Sequence, residues 1–249
     1  MPPLHSRRTL LEACCYVVRT GAHGECYPRF SSLGQCLQTF RRWSAQGKFE
    51  QMHDRLRAQW REREERADSP SAAILDSQST RSSPQGGDSG YDAGKKVKGR
   101  KRSLIVDTLG LLLAVSISAA SVQDRDAADD AVAYSKEKYP SLSTLFVDSA
   151  YAGKWAQRTH QLHAIDVQVI RGPNNRRTGQ WHSEQGDLFS VEPVQTGFVV
   201  MPKRWVVERT HAWNERARRL IMHHDRLFAV SEAWVWLAEA RILARRLTT

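Results

Sequence analysis

Apolar residues recur at helical intervals through the N-terminal part of the chain. Leu10, Leu11 and Cys14, then Phe40, Trp43, Phe49, Met52 and Leu56, are spaced to form a buried stripe. Gly21, Gly24, Gly34 and Gly47 punctuate that pattern. A charged run then closes at Asp68, Ser69 and Pro70, which predicts a domain boundary. Residues 1–66 are therefore expected to form a small helical region and residues 70–249 a second domain. From Ala72 the pattern changes to short β-rich runs: AAILDSQ, then KRSLIVDT and GLLLAVSIS joined at Leu109-Gly110. DAADDAVAYSKEKY reads as a helix, TLFVDSAY as a strand, GKWAQRTHQLH as a helix and IDVQVI as a strand. Strands in series followed by alternating helix and strand predict an α/β fold, a mixed sheet flanked by helices. Residues 171–199 are polar, rich in Asn, Gly, Gln and Pro, and long for a connection; such a stretch reads as functional or mobile.

Charge changes this picture more than composition does. The chain carries 37 Lys and Arg against 27 Asp and Glu, a net charge of +10, which points to a polyanionic partner. Its apolar runs, such as Leu111 to Val115, are far too short for a membrane span, and the N-terminus shows no export signal. Cys14, Cys15, Cys26 and Cys36 form no CxxC pair, and with His5 and His23 they match no zinc spacing. Reduced thiols and a cytoplasmic location are the expectation.

The candidate chemistry lies in three carboxylates. Asp76 follows Ile74 and Leu75, and Asp148 follows Phe146 and Val147, each at the end of an apolar run. A carboxylate at the C-terminal end of a strand enters a crevice or caps a turn; the residues alone leave both readings open. Glu208 lies in a helical pattern where Val206, Trp213, Ala217 and Leu220 share one side, and Glu208, Ala212, Glu215 and Arg219 share the other. Glu215 sits about 10 Å along the axis from Glu208, too far for both to hold one metal pair. The trio His223, His224 and Asp225 would lie about 22 Å from Glu208 if the helix continued, and reads as helix surface or DNA contact. Six cations, Lys95, Lys96, Lys98, Arg100, Lys101 and Arg102, suit either a phosphate track or a solvated face. Asp88, Asp92 and Asp107 read as turn or supporting groups.

The run from DSQSTRSSPQGGDSGYDAGKKVKGRKRSLIVDTLGLLLAV through ASVQDRDAAD and FVDSAYAG to GFVVMPKRWVVERTHAWNERARRL resembles the DDE transposases of bacterial insertion sequences, in the insertion-sequence-five-like branch. The resemblance covers nearly the whole chain. It implies a ribonuclease H-like fold behind a helix-turn-helix-like module, of which this chain is expected to carry a truncated form. It makes Asp76, Asp148 and Glu208 the catalytic residues and the ligands of two Mg²⁺ or Mn²⁺ ions. It further implies double-stranded DNA partners (terminal inverted repeats and target DNA), a homodimer in the active complex, and association with the nucleoid when bound. The expected reaction is metal-dependent cleavage at each element end, followed by attack of the freed 3′-hydroxyl on target DNA. Arg204, Arg216 and Arg219 stand where phosphate contacts are expected. Ser149 and Ala150 replace two glycines of the family pattern, Met201 a tyrosine and Glu215 a lysine. Those departures keep a second expectation open: a shortened, inactive copy that occupies repeat DNA and represses its relatives. A ribonuclease H-like nuclease without strand transfer is a third.

Overall fold

The computed structural model describes residues 6–22, 33–84, 87–170 and 203–249. The HGECYPRFSS stretch, residues 171–199, His5, Cys26 and Met201 lie outside these residues. Three helices come first: α1 (Arg7–Thr20), α2 (Leu33–Ala45) and α3 (Lys48–Arg63). Ser6 Oγ accepts the Thr9 amide at the start of α1, and Gly21 ends it with a left-handed φ of 66°.

The sheet is built from β1 (Ala72–Arg81), β2 (Gly90–Asp92), β3 (Val97–Asp107), β4 (Leu112–Ala119), β5 (Thr144–Val147) and β6 (Asp166–Val169). β3 pairs antiparallel with β1 on one edge; on the other edge it pairs with β2 near its start and β4 beyond. β1 then pairs parallel with β5, and β5 parallel with β6. α4 (Asp124–Lys138) connects β4 to β5, and α5 (Lys154–His163) connects β5 to β6. The chain closes with α6 (Arg204–Glu215) and α7 (Phe228–Thr248). An antiparallel meander continued by parallel strands, with helices on both faces, is the expected α/β, ribonuclease H-like architecture.

Strand alternation sorts the core into two layers. Ile74, Leu104, Val106, Leu112 and Phe146 face α6, α7 and the N-terminal helices. Ala73, Leu75, Ile105, Leu113, Leu145 and Val147 face α4 and α5. The first layer includes Cys14 and Val18 of α1, Phe40 of α2 and Phe49 of α3, and the Phe40 ring stacks on Trp234 of α7 with centroids 3.8 Å apart. Lys138 of α4 reaches back to Asp54 of α3 at 2.7 Å, and Arg57 of α3 donates to the Asp68 carbonyl at 2.6 Å. The N-terminal helices thus share one core with the sheet, and the Asp68–Pro70 turn is tied to α3. Among the described residues no helix is long and apolar enough to cross a membrane.

The β3–β4 turn is where α6 docks. Asp107, fully buried, accepts the amides of Leu109 and Leu111 and the guanidinium of Arg61. Gly110 adopts φ of 79°, and a Cβ there would stand 2.9 Å from the Arg209 guanidinium. Arg209 and Thr210 of α6 donate to the carbonyls of Leu109 and Gly110 at 2.8 and 2.9 Å. These bonds, with Val206 and Val207 buried beneath, fix α6 across the sheet.

Candidate active site

Asp76 is not at the end of its strand, as the apolar run implied, but in the middle of β1. The polar half, Ser77 to Arg81, continues to pair with β3 as far as Gly99. The strand register locates its neighbour. Ala72, Ala73 and Ile74 pair with Thr144, Leu145 and Phe146. Two residues further along each extended chain come Asp76 and Asp148, on the same face as Ile74 and Phe146, with adjacent strands about 4.8 Å apart. That face is the one α6 covers. Asp148 follows β5 and also caps the 3-10 turn Ser149–Tyr151, its Oδ1 accepting the Ala150 amide at 2.8 Å. The capping reading of this aspartate is the one the structure shows. Burial raises the pKa of the Tyr151 hydroxyl, and the charges of Asp124, Asp76 and Asp148 add to that, while its 2.9 Å bond to Ser77 opposes it.

Glu208 stands on the outer side of α6. Val206, Val207, Thr210, His211 and Asn214 are buried, whereas Glu208, Ala212 and Glu215 are exposed. Trp213, expected on the core side, is only half-buried. Asp76, Gln78, Lys95, Glu208, His211 and Glu215 line a crevice of about 330 Å³ between β1 and α6. His211 Nε2 lies 3.4 Å from Asp76 Oδ2. Burial pulls the Asp76 carboxyl upward, but His211, Arg204 and the Ser77 amide outweigh it and leave its pKa below the ordinary 3.8. Glu208 stands 3.5 Å from Arg204, Gln78 donates to Glu215 at 2.6 Å, and Lys95 Nζ donates to the Ser77 carbonyl at 2.8 Å. Glu215 thus opens onto the same crevice as Glu208. His211 drew no notice in the sequence; its only signal is its place one turn beyond Glu208 on the buried side of the helix.

The basic run divides at Gly99. Lys95, Lys96 and Lys98 are exposed around the β2–β3 hairpin. Arg100, Lys101 and Arg102 are buried, contrary to their expected place on a phosphate track. Arg100 donates to the carbonyls of Asp88 and Arg226 and to Ser231 Oγ, with its guanidinium over the Phe228 ring. Arg102 donates to the Leu220 carbonyl, and Lys101 pairs with Asp124. Arg100 and Lys101 are thus held by groups within the protein, whereas Arg102 keeps its buried Nε and Nη1 without a hydrogen-bond partner and burial lowers its pKa to about 10.

The helix carrying Glu208 also ends sooner than its composition implies. It stops at Glu215, and a 3-10 turn, Arg218–Leu220, follows. His223 is buried, its amide donating to the Arg81 carbonyl and its carbonyl accepting the Ser83 amide, each at 2.8 Å. It is therefore neither helix surface nor an exposed contact. Arg219 pairs with Asp225 at 2.8 Å and covers the Trp234 ring, while Arg216 is exposed. Asp92 serves the hairpin, accepting Ser79 Oγ at 2.6 Å and the Lys95 amide at 3.0 Å.

The model of the transposase DDE domain matches residues 67–243, from the turn before β1 into α7. The chain belongs to the transposase DDE domain family. No curated protein matches the chain. The matched span contains Asp76 on β1, Asp148 after β5 and Glu208 on α6, of which Asp76 and Glu208 line the crevice, and transposases of this family are DNA-processing enzymes that work with divalent metal ions. The donors here suit such an ion in kind, being carboxylate oxygens on neighbouring elements. Among the described residues no three His, Cys, Asp or Glu side chains converge on one point. Asp148 is engaged by the Ala150 amide and Glu208 by Arg204, so an entering cation must compete with both.

Proposed function

We propose that this chain is an insertion-sequence transposase of the five-like branch that binds terminal inverted repeats, cleaves the element ends and joins them to target DNA. The observation that supports the reading is the parallel pairing of Ile74 with Phe146, two residues before Asp76 and Asp148, on the sheet face crossed by the Glu208 helix. Asp76, Asp148 and Glu208 would hold two Mg²⁺ or Mn²⁺ ions, which when bound supply Lewis-acid activation of the phosphodiester and its attacking oxygen. The chain's own groups do the rest. His211 orients Asp76 from the buried side, and the Ser77–Tyr151 bond braces β1 behind it. Lys95 and Arg204 flank the crevice and offer cations to the phosphates on either side of the reacting one. The freed 3′-hydroxyl then attacks target DNA in a second in-line transfer. Paired ends require a homodimer, acting on double-stranded DNA in the cytoplasm.

A second reading, a DNA-binding copy without cleavage, draws on Asp148, whose carboxylate is held as a cap by the residue that replaces a family glycine. One assay separates the two. Purified protein and a duplex bearing the element's own terminal repeat should give nicked product with Mg²⁺ or Mn²⁺ and none with Ca²⁺ or EDTA. Repeat binding without product in every metal would favour the repressor.

A further inference from the structure

On the far side of α6 from the crevice lies a cavity of about 410 Å³ between α1, α6 and α7. Arg19, Arg216, Arg241, Arg245 and Arg246 line it, together with Trp213, and no aspartate or glutamate does. Among the described residues none of these five arginines forms an ion pair with a carboxylate. Arg8, Arg57, Arg61, Arg158 and Arg219 each do. The guanidinium of Arg246 lies over the Trp213 ring at 4.1 Å, which holds its plane against the cavity wall. Burial lowers the proton affinity of Arg241, and the neighbouring charges of Arg19 and Arg245 lower it further. Arg246 is likewise lowered by burial, against a pull from Glu239 beneath it and Glu64 beside it. Like charges gathered around one opening repel each other, and an entering anion relieves that repulsion.

We infer that this cavity is a second binding site for the phosphodiester backbone of duplex DNA, engaged by the same duplex whose end lies in the crevice. The inference rests on the proposed function for the identity of the polyanion. Geometry favours DNA over a small anion. Arg241 and Arg245 lie one turn apart on α7, about 6 Å, and Arg19 and Arg216 come from two other elements, so the cations are spread rather than focused on one phosphate. α6 is the common wall: Glu208, His211 and Glu215 line the crevice, Trp213 and Arg216 the cavity. A helix is about 10 Å across with its side chains, and a duplex presents a charge about every 1.7 Å of its axis. A duplex seated at the crevice therefore carries phosphates within reach of the cavity.

The test uses the full chain. Arg241→Gln/Arg245→Gln and the more exposed pair Arg19→Gln/Arg245→Gln would be titrated with random-sequence duplex by anisotropy at several salt concentrations. Thermal unfolding would identify any variant that fails to fold. Either folded variant should bind about tenfold more weakly or worse, with the slope of log affinity against log salt reduced by about two. Arg241→Lys/Arg245→Lys should keep the slope. Metal-dependent nicking at saturating protein should persist in all three. Unchanged affinity and slope in both glutamine variants would overturn the inference. Loss of polyglutamate binding with DNA binding intact would overturn it in favour of an acidic protein partner. Wild-type protein that binds duplex but never nicks it would defeat the proposed chemistry, while the second DNA site would still stand or fall on the slopes.

Discussion

The two sides of α6 hold opposite charges under opposite conditions. In the crevice each carboxylate has a partner: Asp76 has His211, Glu208 has Arg204 and Glu215 has Gln78. In the cavity the arginines of α1, α6 and α7 have no carboxylate partner among the described residues. The difference separates chemistry from holding. Groups that must present oxygens at fixed positions are braced by their neighbours, because an ångström of slack costs rate. Groups that attract a polyanion gain by remaining unpaired, because every internal partner competes with the phosphate. Arg100 is a third case, since its donors are already spent on the carbonyls of Asp88 and Arg226 and on Ser231.

The sharpest way to break this comparison is to remove the braced carboxylates. Asp76→Ala, Asp148→Ala and Glu208→Ala should each cut metal-dependent nicking on the order of 10³-fold or more and leave duplex affinity within about a factor of two. Gel analysis of the nicked product and anisotropy read the two effects separately. Glu215→Gln should keep most of the activity; the reverse pattern, with Glu208 dispensable, would make Glu215 the ligand.

Removing the N-terminal helices should come next in size. A chain beginning at residue 70 loses the Phe40 stack on Trp234 and the contacts of Cys14, Val18 and Phe49 with the shared core. Burial of that order is worth several kcal/mol, with large aromatics at about 3–5 kcal/mol each when deleted. The truncated chain should lack a cooperative thermal transition by circular dichroism. A sharp transition near that of the full chain would restore residues 1–66 as a separable unit.

Acid and alkali should then act through the buried layer beneath α6. Burial pushes Glu239 up to about 8, against Arg246, Arg102 and Asn214. It holds its proton more tightly folded than unfolded, so stability is highest below the unfolded value near 4.5 and falls as pH rises towards 8. Burial, helped by Arg102, Arg100 and His224, lowers His223 to about 3, so its contribution is full above 6.5 and is lost as pH falls towards 3. Between 4.5 and 6.5 the two slopes oppose each other. Denaturant midpoints across pH should therefore show a plateau in that range with a fall on either side. Glu239→Gln should flatten the alkaline side, which otherwise drops at about 1.4 kcal/mol per pH unit. An alkaline limb that survives this change would rule Glu239 out as its source.

The smallest effect belongs to the hairpin. Lys96→Gln/Lys98→Gln should lower the salt slope by up to about two, near one per lost phosphate contact, without changing stability. Lys101→Gln should do the reverse, lowering the thermal midpoint through loss of its Asp124 pair and leaving the slope alone.

These contrasts mark what the sequence could and could not disclose. The order of strands and helices was legible because short apolar runs mark β3 and β4, which are buried over consecutive residues, and helical spacing marks the buried side of α4. The carboxylates were legible as ends of apolar runs, although Asp76 is the end of the apolar half of β1 only. Its polar half pairs with the Gly99–Ser103 stretch of β3, and nothing local to DSQSTR announces that pairing. The burial of Arg100 and Arg102 depends on the carbonyls of Arg226 and Leu220, more than a hundred residues on. The early end of α6 was hidden for a related reason: RARRL favours helix, and the bend is imposed by the pairing of His223 with the end of β1.

That last pairing has a mechanical meaning. β1 and α6 are the two jaws of the crevice, and the chain leaving α6 returns through His223 to be laced onto Arg81, the last residue of the strand opposite, and Ser83 just beyond it. Gln78 and Glu215 add a side-chain rivet nearer the mouth. Prising the jaws apart would mean giving up two backbone hydrogen bonds, each worth about 1 kcal/mol net, together with that rivet. The gap between Asp76 and the Glu208 helix is therefore a gauge set at folding, and under the proposed function a DNA end must be shaped to it.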